Sequence, residues 1–122
     1  MKQIKFRAWD AEEEKMIETF DGNYRILVNE EDGSIFCGGN MSNGDWTEPV
    51  LMQFTGLLDK NRNEIFEGDI VQHDAWDYHF EVIFNQEKAR FVCKMKTGLT
   101  QYIDNERLKV VGNVYQNYAL LA

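Results

Sequence analysis

Apolar and polar positions alternate with a period of two in several short stretches of the chain. In residues 4–9 the side chains of Ile4, Phe6 and Ala8 occupy every second position. This spacing puts them on one face of an extended strand. Residues 16–20 predict a second strand, and the charged residues between the two strands predict a hairpin turn.

The same pattern, interrupted by Gly, Asn and Asp, predicts strands through most of the chain. We expect further strands over residues 24–29, 34–37, 50–54, 64–66, 69–73, 78–84, 89–96 and 109–114. Helical signals are confined to one turn over 104–107 and a short terminal helix over 117–121. Many short strands at close spacing favour a mainly β fold, either a small barrel or a curled antiparallel sheet with short helical turns.

Domain organisation follows from the even composition of the chain. No internal repeat, linker or low-complexity tract divides it, so we predict a single domain over residues 1–122. Residues 38–48 are rich in Gly and Asn and predict a less ordered loop. Before the strand at 70, Gly68 permits a sharp backbone entry and Asp69 can accept hydrogen bonds from nearby backbone N–H groups. Similar entries open strands in SH3-like barrels, which predicts such a portion over about 66–114.

The charge balance changes which partners we expect. The chain carries 13 basic and 21 acidic residues, a formal net charge of −8. This acidity argues against a phosphate-binding surface over the whole protein, although a local basic groove is compatible with it. No apolar stretch approaches the roughly 18 residues that a membrane-spanning helix needs. The first residues also lack the apolar segment of a secretory signal, which predicts a cytoplasmic location.

The negative charge is concentrated in the first half of the chain. Residues 1–61 contain 6 basic and 12 acidic residues, whereas residues 62–122 contain 7 and 9. The two clusters that hold most of the excess are residues 10–14 with Glu18 and Asp21, and residues 30–32. Such runs commonly form solvated turns, and they can also form a contact surface for a basic protein.

The two cysteines, Cys37 and Cys93, lie far apart in the sequence. Without an export signal they are most simply reduced thiols. In residues 90–96, Cys93 shares the alternation of Phe91 and Met95, which predicts that it faces the core. A buried thiol of this kind is a packing residue and not a nucleophile.

The only two histidines lie close together and define the candidate metal site. If residues 73–79 form a hairpin tip, His73, Asp77 and His79 could converge, because imidazole and carboxylate groups bind Zn²⁺ and similar ions. Their spacing matches no established metal motif, so ordinary loop residues are the alternative. We therefore predict no metal and no cofactor, with these three residues as the candidates to check.

A second candidate site lies on the basic strand at residues 90–96. Arg90, Lys94 and Lys96 stand at strand spacing and could contact the phosphates of a nucleic acid. The aromatic residues that could stack beside them are Trp76, Tyr78 and Phe80. Solvated sheet residues next to core aromatics explain the same pattern. Binding would also act against the long-range field of an acidic protein.

Four segments carry a resemblance to a known family. They are IKFRAWD at 4–10, VLMQFTGLLDKN at 50–61, EIFEGDIV at 64–71 and VGNVYQN at 111–117. In this order they resemble the signature blocks of the YopX family, and they span the chain. Family members often have Asn-Gly where this chain has Asn61-Arg62. We expect its turn to use Asn63 in the left-handed conformation, or a different register.

The resemblance implies a small mainly β protein of bacteriophages and prophages, without established enzymatic activity and without catalytic residues to transfer. We therefore predict a noncatalytic accessory protein in the cytoplasm of a bacterial host cell, acting as a protein-binding or regulatory module. Its partner would be a phage or host protein, and exposed strand edges would allow homo-oligomers. Nucleic-acid association through residues 90–96 is the alternative, and a metal-dependent enzyme around His73 and His79 is the second alternative.

Overall fold

The structure, a computed structural model, describes residues 4–18, 20, 24–40 and 46–121. Its strands are β1 Phe6–Asp10, β2 Lys15–Ile17, β3 Tyr24–Val28, β4 Ile35–Asn40, β5 Trp46–Thr47, β6 Val50–Leu58, β7 Glu64–Phe66, β8 Asp69–His73, β9 His79–Asn85, β10 Arg90–Lys94, β11 Thr100–Gln101 and β12 Leu108–Asn113. Two 3₁₀ helices, Asn105–Arg107 and Tyr118–Leu121, complete the described elements. The chain divides into two compact units, residues 6–52 (the N-terminal unit) and residues 1–5 with 53–122 (the C-terminal unit).

The N-terminal unit is built from tight antiparallel pairs. β1 pairs with β2, and β3, β4 and β5 form an antiparallel meander. Its small core contains Ala8, Ile17 and Cys37, with Tyr24 and Leu51 among the half-buried side chains that pack against it. Because these strands are short, most of the polar side chains of the turns between them stay exposed.

The C-terminal unit contains a curled, half-barrel antiparallel sheet of five strands in the order β11-β10-β9-β8-β12. β6 and β7 pair with each other beside an irregular register between Phe54 and Leu58. The core cluster consists of Ile65, Val71, Phe80, Val82, Cys93 and Leu108. Alternate residues of β8, β9 and β10 thus supply one continuous apolar face, as the period-two pattern predicts.

The mainly β fold with short helical turns is confirmed. The predicted hairpins around residues 11–14, 30–33 and 86–89 are present, and the helical turn near residue 105 is a single 3₁₀ turn. The prediction of one domain over 1–122 stays a prediction, and the five-stranded sheet lies within the predicted SH3-like portion, 66–114.

The predicted loop 38–48 is only partly covered by the structure. Residues 38–40 end β4 and residues 46–47 form β5, so these parts are strand and not loop. Residues 41–45 lie outside the described residues. The sequence pattern missed β5 because a two-residue strand is too short to show a period.

One turn prediction is wrong. In the turn after β6, Arg62 and not Asn63 has the left-handed conformation, with φ of 66°. Arg62 therefore places a side chain in a backbone region that glycine prefers. No helix in the described part of the chain is long and apolar enough to cross a membrane.

Candidate functional site

The carboxylate of Asp59, in the central signature segment, holds three backbone groups. Its Oδ1 accepts hydrogen bonds from the N–H groups of Asn61 and Asn63, both at 2.8 Å, and its Oδ2 accepts one from Val110 N–H at 2.9 Å. Burial opposes ionisation of this carboxyl, but the hydrogen bonds outweigh burial and lower its pKa below the ordinary value. Asp59 therefore ties the turn after β6 to β12.

The Gly68-Asp69 pair closes the next signature turn. Gly68 has φ of 87°, and its N–H donates to the carbonyl of Val82 at 2.8 Å. Asp69 is buried and its Oδ2 accepts a hydrogen bond from the N–H of Phe66 at 2.7 Å. This confirms the prediction that Asp69 bonds backbone N–H groups within the turn.

The last signature segment is fixed by amide side chains. Asn113 Oδ1 accepts from the N–H groups of Tyr115 and Gln116, both at 3.0 Å, and Asn117 Oδ1 accepts from Asn113 N–H at 3.2 Å. A Cβ on Gly112 would lie 2.6 Å from that Asn117 oxygen. Asp59, Asp69, Asn113 and Asn117 of these three signature segments thus hold turns in place by accepting hydrogen bonds from the backbone.

The three candidate metal ligands are divided by the sheet. His73 is buried, its ring stacks on Trp76 with centroids 4.2 Å apart, and its Nδ1 accepts from Ala75 N–H at 3.0 Å. His79 lies directly opposite Gln72 across β8 and β9. Opposed residues share a face and adjacent residues do not, so His73 and His79 point to opposite sides of the sheet.

Two separate hollows confirm this division. One, of about 300 Å³, is bordered by His73 and Asp77, and another, of about 270 Å³, by Asp77 and His79. Among the described residues, no group of three or more His, Cys, Asp or Glu side chains could hold a metal ion. The structure therefore does not bring the three candidates together.

The basic side chains of β10 lie on one face of the strand, as the alternation in the sequence predicts. Arg90 and Lys94 share one face of β10, opposite the face that carries Phe91 and Cys93, and Lys96 follows just beyond the strand. Lys94 and Lys96 border one hollow of about 360 Å³, whereas Arg90 borders another groove at the far end of the strand.

The aromatic residues expected beside this strand are placed differently. Phe80 is buried in the core, as the alternative of core aromatics expects, so it is not part of a stacking surface. Trp76 stacks on His73, while Tyr78 is exposed and borders a hollow with Lys96.

The aromatic partner of the basic strand that sequence reasoning missed is Tyr102. The Arg90 guanidinium lies over its ring, 4.2 Å from the centroid. The hydrogen bond from Arg90, together with the charges of Arg90 and Lys88, lowers the pKa of the Tyr102 hydroxyl. Because Tyr102 approaches Arg90 from the segment after β11, only the cross-strand pairing of β10 with β11 reveals this pair.

The acidic turns are exposed and internally well defined. Buried Asp10 accepts from Glu12 N–H and Glu13 N–H, at 3.1 and 3.2 Å, and shapes the β1–β2 turn. In the β3–β4 turn, a hydrogen bond from Ser34 N–H lowers the pKa of the Asp32 carboxyl. The side chains of residues 12–14 and 30–32 are all exposed.

One of these acidic side chains has a close cationic partner. Glu13 Oε2 lies 2.7 Å from Lys15 Nζ. Of the other members of the predicted clusters, Glu18 is exposed and Asp21 lies outside the described residues.

The net charge of the protein is distributed unequally between the two units. Residues 6–52 carry 3 basic and 11 acidic residues, a net charge of −8, and the remaining residues carry 10 of each. Dividing the sequence at residue 61 leaves negative charge in both halves, more of it in the first. Dividing it at the boundary of the structural units leaves all of the net charge in one unit. The whole net charge of the protein therefore belongs to the N-terminal unit.

Both cysteines are buried packing residues. Cys37 and Cys93 are free thiols with no exposed surface. Burial raises the pKa of Cys93 to about 12, and burial followed by the charge of Asp10 raises that of Cys37. The prediction that Cys93 faces the core is confirmed, and neither thiol has the depressed pKa of a nucleophile.

These observations define a small, mainly β protein with structural signature turns and two charged surfaces. The sequence model of the YopX protein family matches residues 5–122, so the chain belongs to the YopX family, as its signature segments indicate. The crystal structure of protein EF1440 from Enterococcus faecalis is similar, with 27% identity, a TM-score of 0.66 and complete coverage of both chains. A search of curated proteins finds no match.

Proposed function

We propose that this protein is a noncatalytic binding module that uses its N-terminal unit to bind a basic surface of a phage or host protein in the cytoplasm of a bacterial host cell. The observation that carries this proposal is the charge partition. A net charge of −8 lies within residues 6–52, and the rest of the chain is neutral.

The acidic turns have the properties of an electrostatic contact surface. The side chains of residues 12–14 and 30–32 are all exposed to solvent, and Glu13 lies close to a cation, Lys15. Charges of one sign concentrated on one region accelerate encounter with an oppositely charged protein. The effect falls with ionic strength, because the screening length is about 8 Å at physiological salt.

We propose no catalytic role for the described residues. Both thiols are buried, His73 and His79 lie on opposite faces of the sheet, and the signature carboxylates Asp59 and Asp69 bind backbone N–H groups. The two thiols, His73 and the two signature carboxylates each have a structural explanation. We therefore propose a binding function, which uses the exposed acidic side chains, over a catalytic one.

The test is affinity capture during phage growth, with the tagged wild-type protein as bait and mass spectrometry as readout. The acidic-turn variant carries Glu12→Gln, Glu14→Gln, Glu30→Gln and Glu31→Gln. These changes keep Asp10 and Asn29, whose side chains accept the backbone hydrogen bonds of the two turns. We expect a basic protein to be captured by the wild type, released by raised salt, and lost by the acidic-turn variant. A partner that survives both changes would contradict the proposal, as would capture of no specific partner.

A further inference from the structure

Two exposed tyrosines flank the basic strand β10, one at each end. Tyr102 is 69% exposed and lies under the Arg90 guanidinium, whereas Tyr118 is 70% exposed and borders the same hollow as Lys94. Lys94 lies four positions after Arg90 along the strand, which corresponds to roughly 13 Å. The surface formed by Arg90, Lys94, Lys96, Tyr102 and Tyr118 is called the Tyr–Arg face below.

The Arg90 end of this face borders a groove that Tyr102 also lines. It has a volume of about 340 Å³, within the usual range of ligand pockets, roughly 300–1,000 Å³. Phe84 and Phe91 also border this groove and meet edge to face, with ring centroids 5.2 Å apart, but they lie on the opposite face of the sheet from Arg90. Within the described part of the chain, the buried Nε of Arg90 has no hydrogen-bond partner, whereas its guanidinium carbon lies over the exposed Tyr102 ring.

The Lys94 end combines two cations with an aromatic ring. Lys94 and Lys96 border the hollow of about 360 Å³ together with Tyr118. Glu81 lies directly opposite Lys94 in the β9–β10 pairing and borders the same hollow. This carboxylate offsets part of the positive charge, which leaves a moderate attraction for anions at this end.

The local charge differs from that of the whole protein. Residues 79–102 carry the four cations of this region, Lys88, Arg90, Lys94 and Lys96, against Glu81 and Glu87. The C-terminal unit as a whole is neutral. The negative charge behind the objection that an acidic protein repels nucleic acid is therefore carried by the N-terminal unit.

We propose that the Tyr–Arg face binds single-stranded nucleic acid. Exposed aromatic rings beside cations match the chemistry of single strands, because bases stack on the rings while Lys and Arg contact the phosphates. A duplex keeps its bases stacked within the helix and offers them less readily to a tyrosine ring. The face should accordingly prefer single strands to a duplex, with little dependence on sequence.

The experiment is fluorescence anisotropy with a labelled oligo(dT) of about 15 nucleotides, a length that covers the 4–16 nucleotides typical of one small single-strand-binding fold. The same titration uses oligo(U) and a duplex of equal length. We expect binding of both single strands at low salt, with weaker binding of the duplex. Affinity should fall with salt, with a slope of log K against log salt of roughly −2 to −3 for three to four phosphate contacts.

Matched variants separate stacking from charge. Tyr102→Ala should weaken binding roughly tenfold or more through loss of one stacked base, while Tyr102→Phe, which keeps the ring, should bind like the wild type. Lys94→Gln combined with Lys96→Gln should make the salt slope shallower by about 1.4. The control pair Lys60→Gln and Lys109→Gln has the same charge change elsewhere on the C-terminal unit and should leave binding nearly unchanged.

Absence of oligonucleotide binding at low salt would overturn the inference. So would equal losses in the Lys94/Lys96 variant and its Lys60/Lys109 control, since a diffuse charge effect would then explain the binding. Circular dichroism of each variant establishes that it is folded. The acidic-turn variant should bind oligo(dT) at least as tightly as the wild type, so failure of this inference and failure of the proposed function are distinguishable.

Discussion

The N-terminal and C-terminal units are both built from short antiparallel strands, yet they differ in how far basic residues balance their acidic residues. In the C-terminal unit, buried Asp59 and Asp69 accept hydrogen bonds from the backbone and stabilise turns. In the N-terminal unit, Glu12, Glu30 and Glu31 are exposed on turns whose geometry is set by other atoms. Buried Asp10 shapes a turn in the N-terminal unit too, so what distinguishes that unit is its excess of exposed carboxylates over basic residues.

The largest effect should come from removing the Asp59 carboxylate. Asp59→Ala leaves the N–H groups of Asn61, Asn63 and Val110 without their acceptor, and should lower the free energy of unfolding by about 2–4 kcal/mol. Urea denaturation measures the loss. The matched change in the N-terminal unit, Glu31→Ala, should stay within about 0.5 kcal/mol, and equal losses in the two variants would break the comparison.

Adding a single methyl group to Gly112 should have the next largest effect. Gly112→Ala places a Cβ 2.6 Å from Asn117 Oδ1, so the turn must shift, at a cost of about 2 kcal/mol. In the N-terminal unit, Gly33→Ala adds a Cβ that meets no atom within 4 Å, although its φ is +75°. Backbone strain alone should then lower the free energy of unfolding of the Gly33→Ala variant by about 1 kcal/mol, as measured by thermal or urea unfolding.

Acid should destabilise the C-terminal unit through Asp59. Its folded pKa is lower than the unfolded value of about 3.9, so its stabilisation is complete well above that pH and is lost as the pH falls through the folded pKa. Asp59→Asn should make the fall in stability below about pH 4 shallower. Asp32→Asn, at an exposed turn of the N-terminal unit, should change this loss of stability in acid less than Asp59→Asn does. A larger change from Asp32→Asn would contradict the assignment of the acid effect to Asp59.

Two positions with left-handed backbone permit a stabilising change in each unit. Arg62 has φ of 66° and Glu14 has φ of 52°. Arg62→Gly and Glu14→Gly should each relieve strain and raise the free energy of unfolding by about 0.5–1 kcal/mol. Asn63→Gly is the control next to Arg62, and it should bring no gain; a gain there would mean that the turn uses another register.

The smallest stability effect should come from the acidic-turn variant, although it removes four charges. Its side chains are exposed and screened by solvent, so the free energy of unfolding should change by no more than about 0.5 kcal/mol. Differential scanning calorimetry at low and moderate salt measures this change. A large loss of stability would mean that the acidic turns are structural after all.

The strands were predictable wherever two local signals agreed. In residues 89–96 the alternation places Cys93 inward and Lys94 outward, and turn residues bound the strand on both sides, so the sheet position followed from the sequence. β11 was missed because a two-residue strand, Thr100–Gln101, carries no period. The left-handed Arg62 was also missed, because local propensity favours Asn at such a position while tertiary contacts decide it.

The candidate sites were less predictable because they depend on pairing between strands. The sequence places His73 and His79 six residues apart, but the β8–β9 register turns them to opposite faces. Conversely, Arg90 and Tyr102 are distant in sequence and meet through the β10–β11 pairing. The acidic gradient was visible from residue counts, whereas its boundary at residue 52 required the structure.

One measurement tests the division of roles between the units most directly. It compares phage-growth capture by the acidic-turn variant with capture by a control variant carrying Asp77→Asn, Glu87→Gln, Asp104→Asn and Glu106→Gln in the C-terminal unit. Both variants lose four exposed carboxylates and have the same net charge, −4 in place of −8. The partner should be lost from the acidic-turn variant and kept by the control, whereas equal recovery from both would show that the acidic turns are not its binding surface.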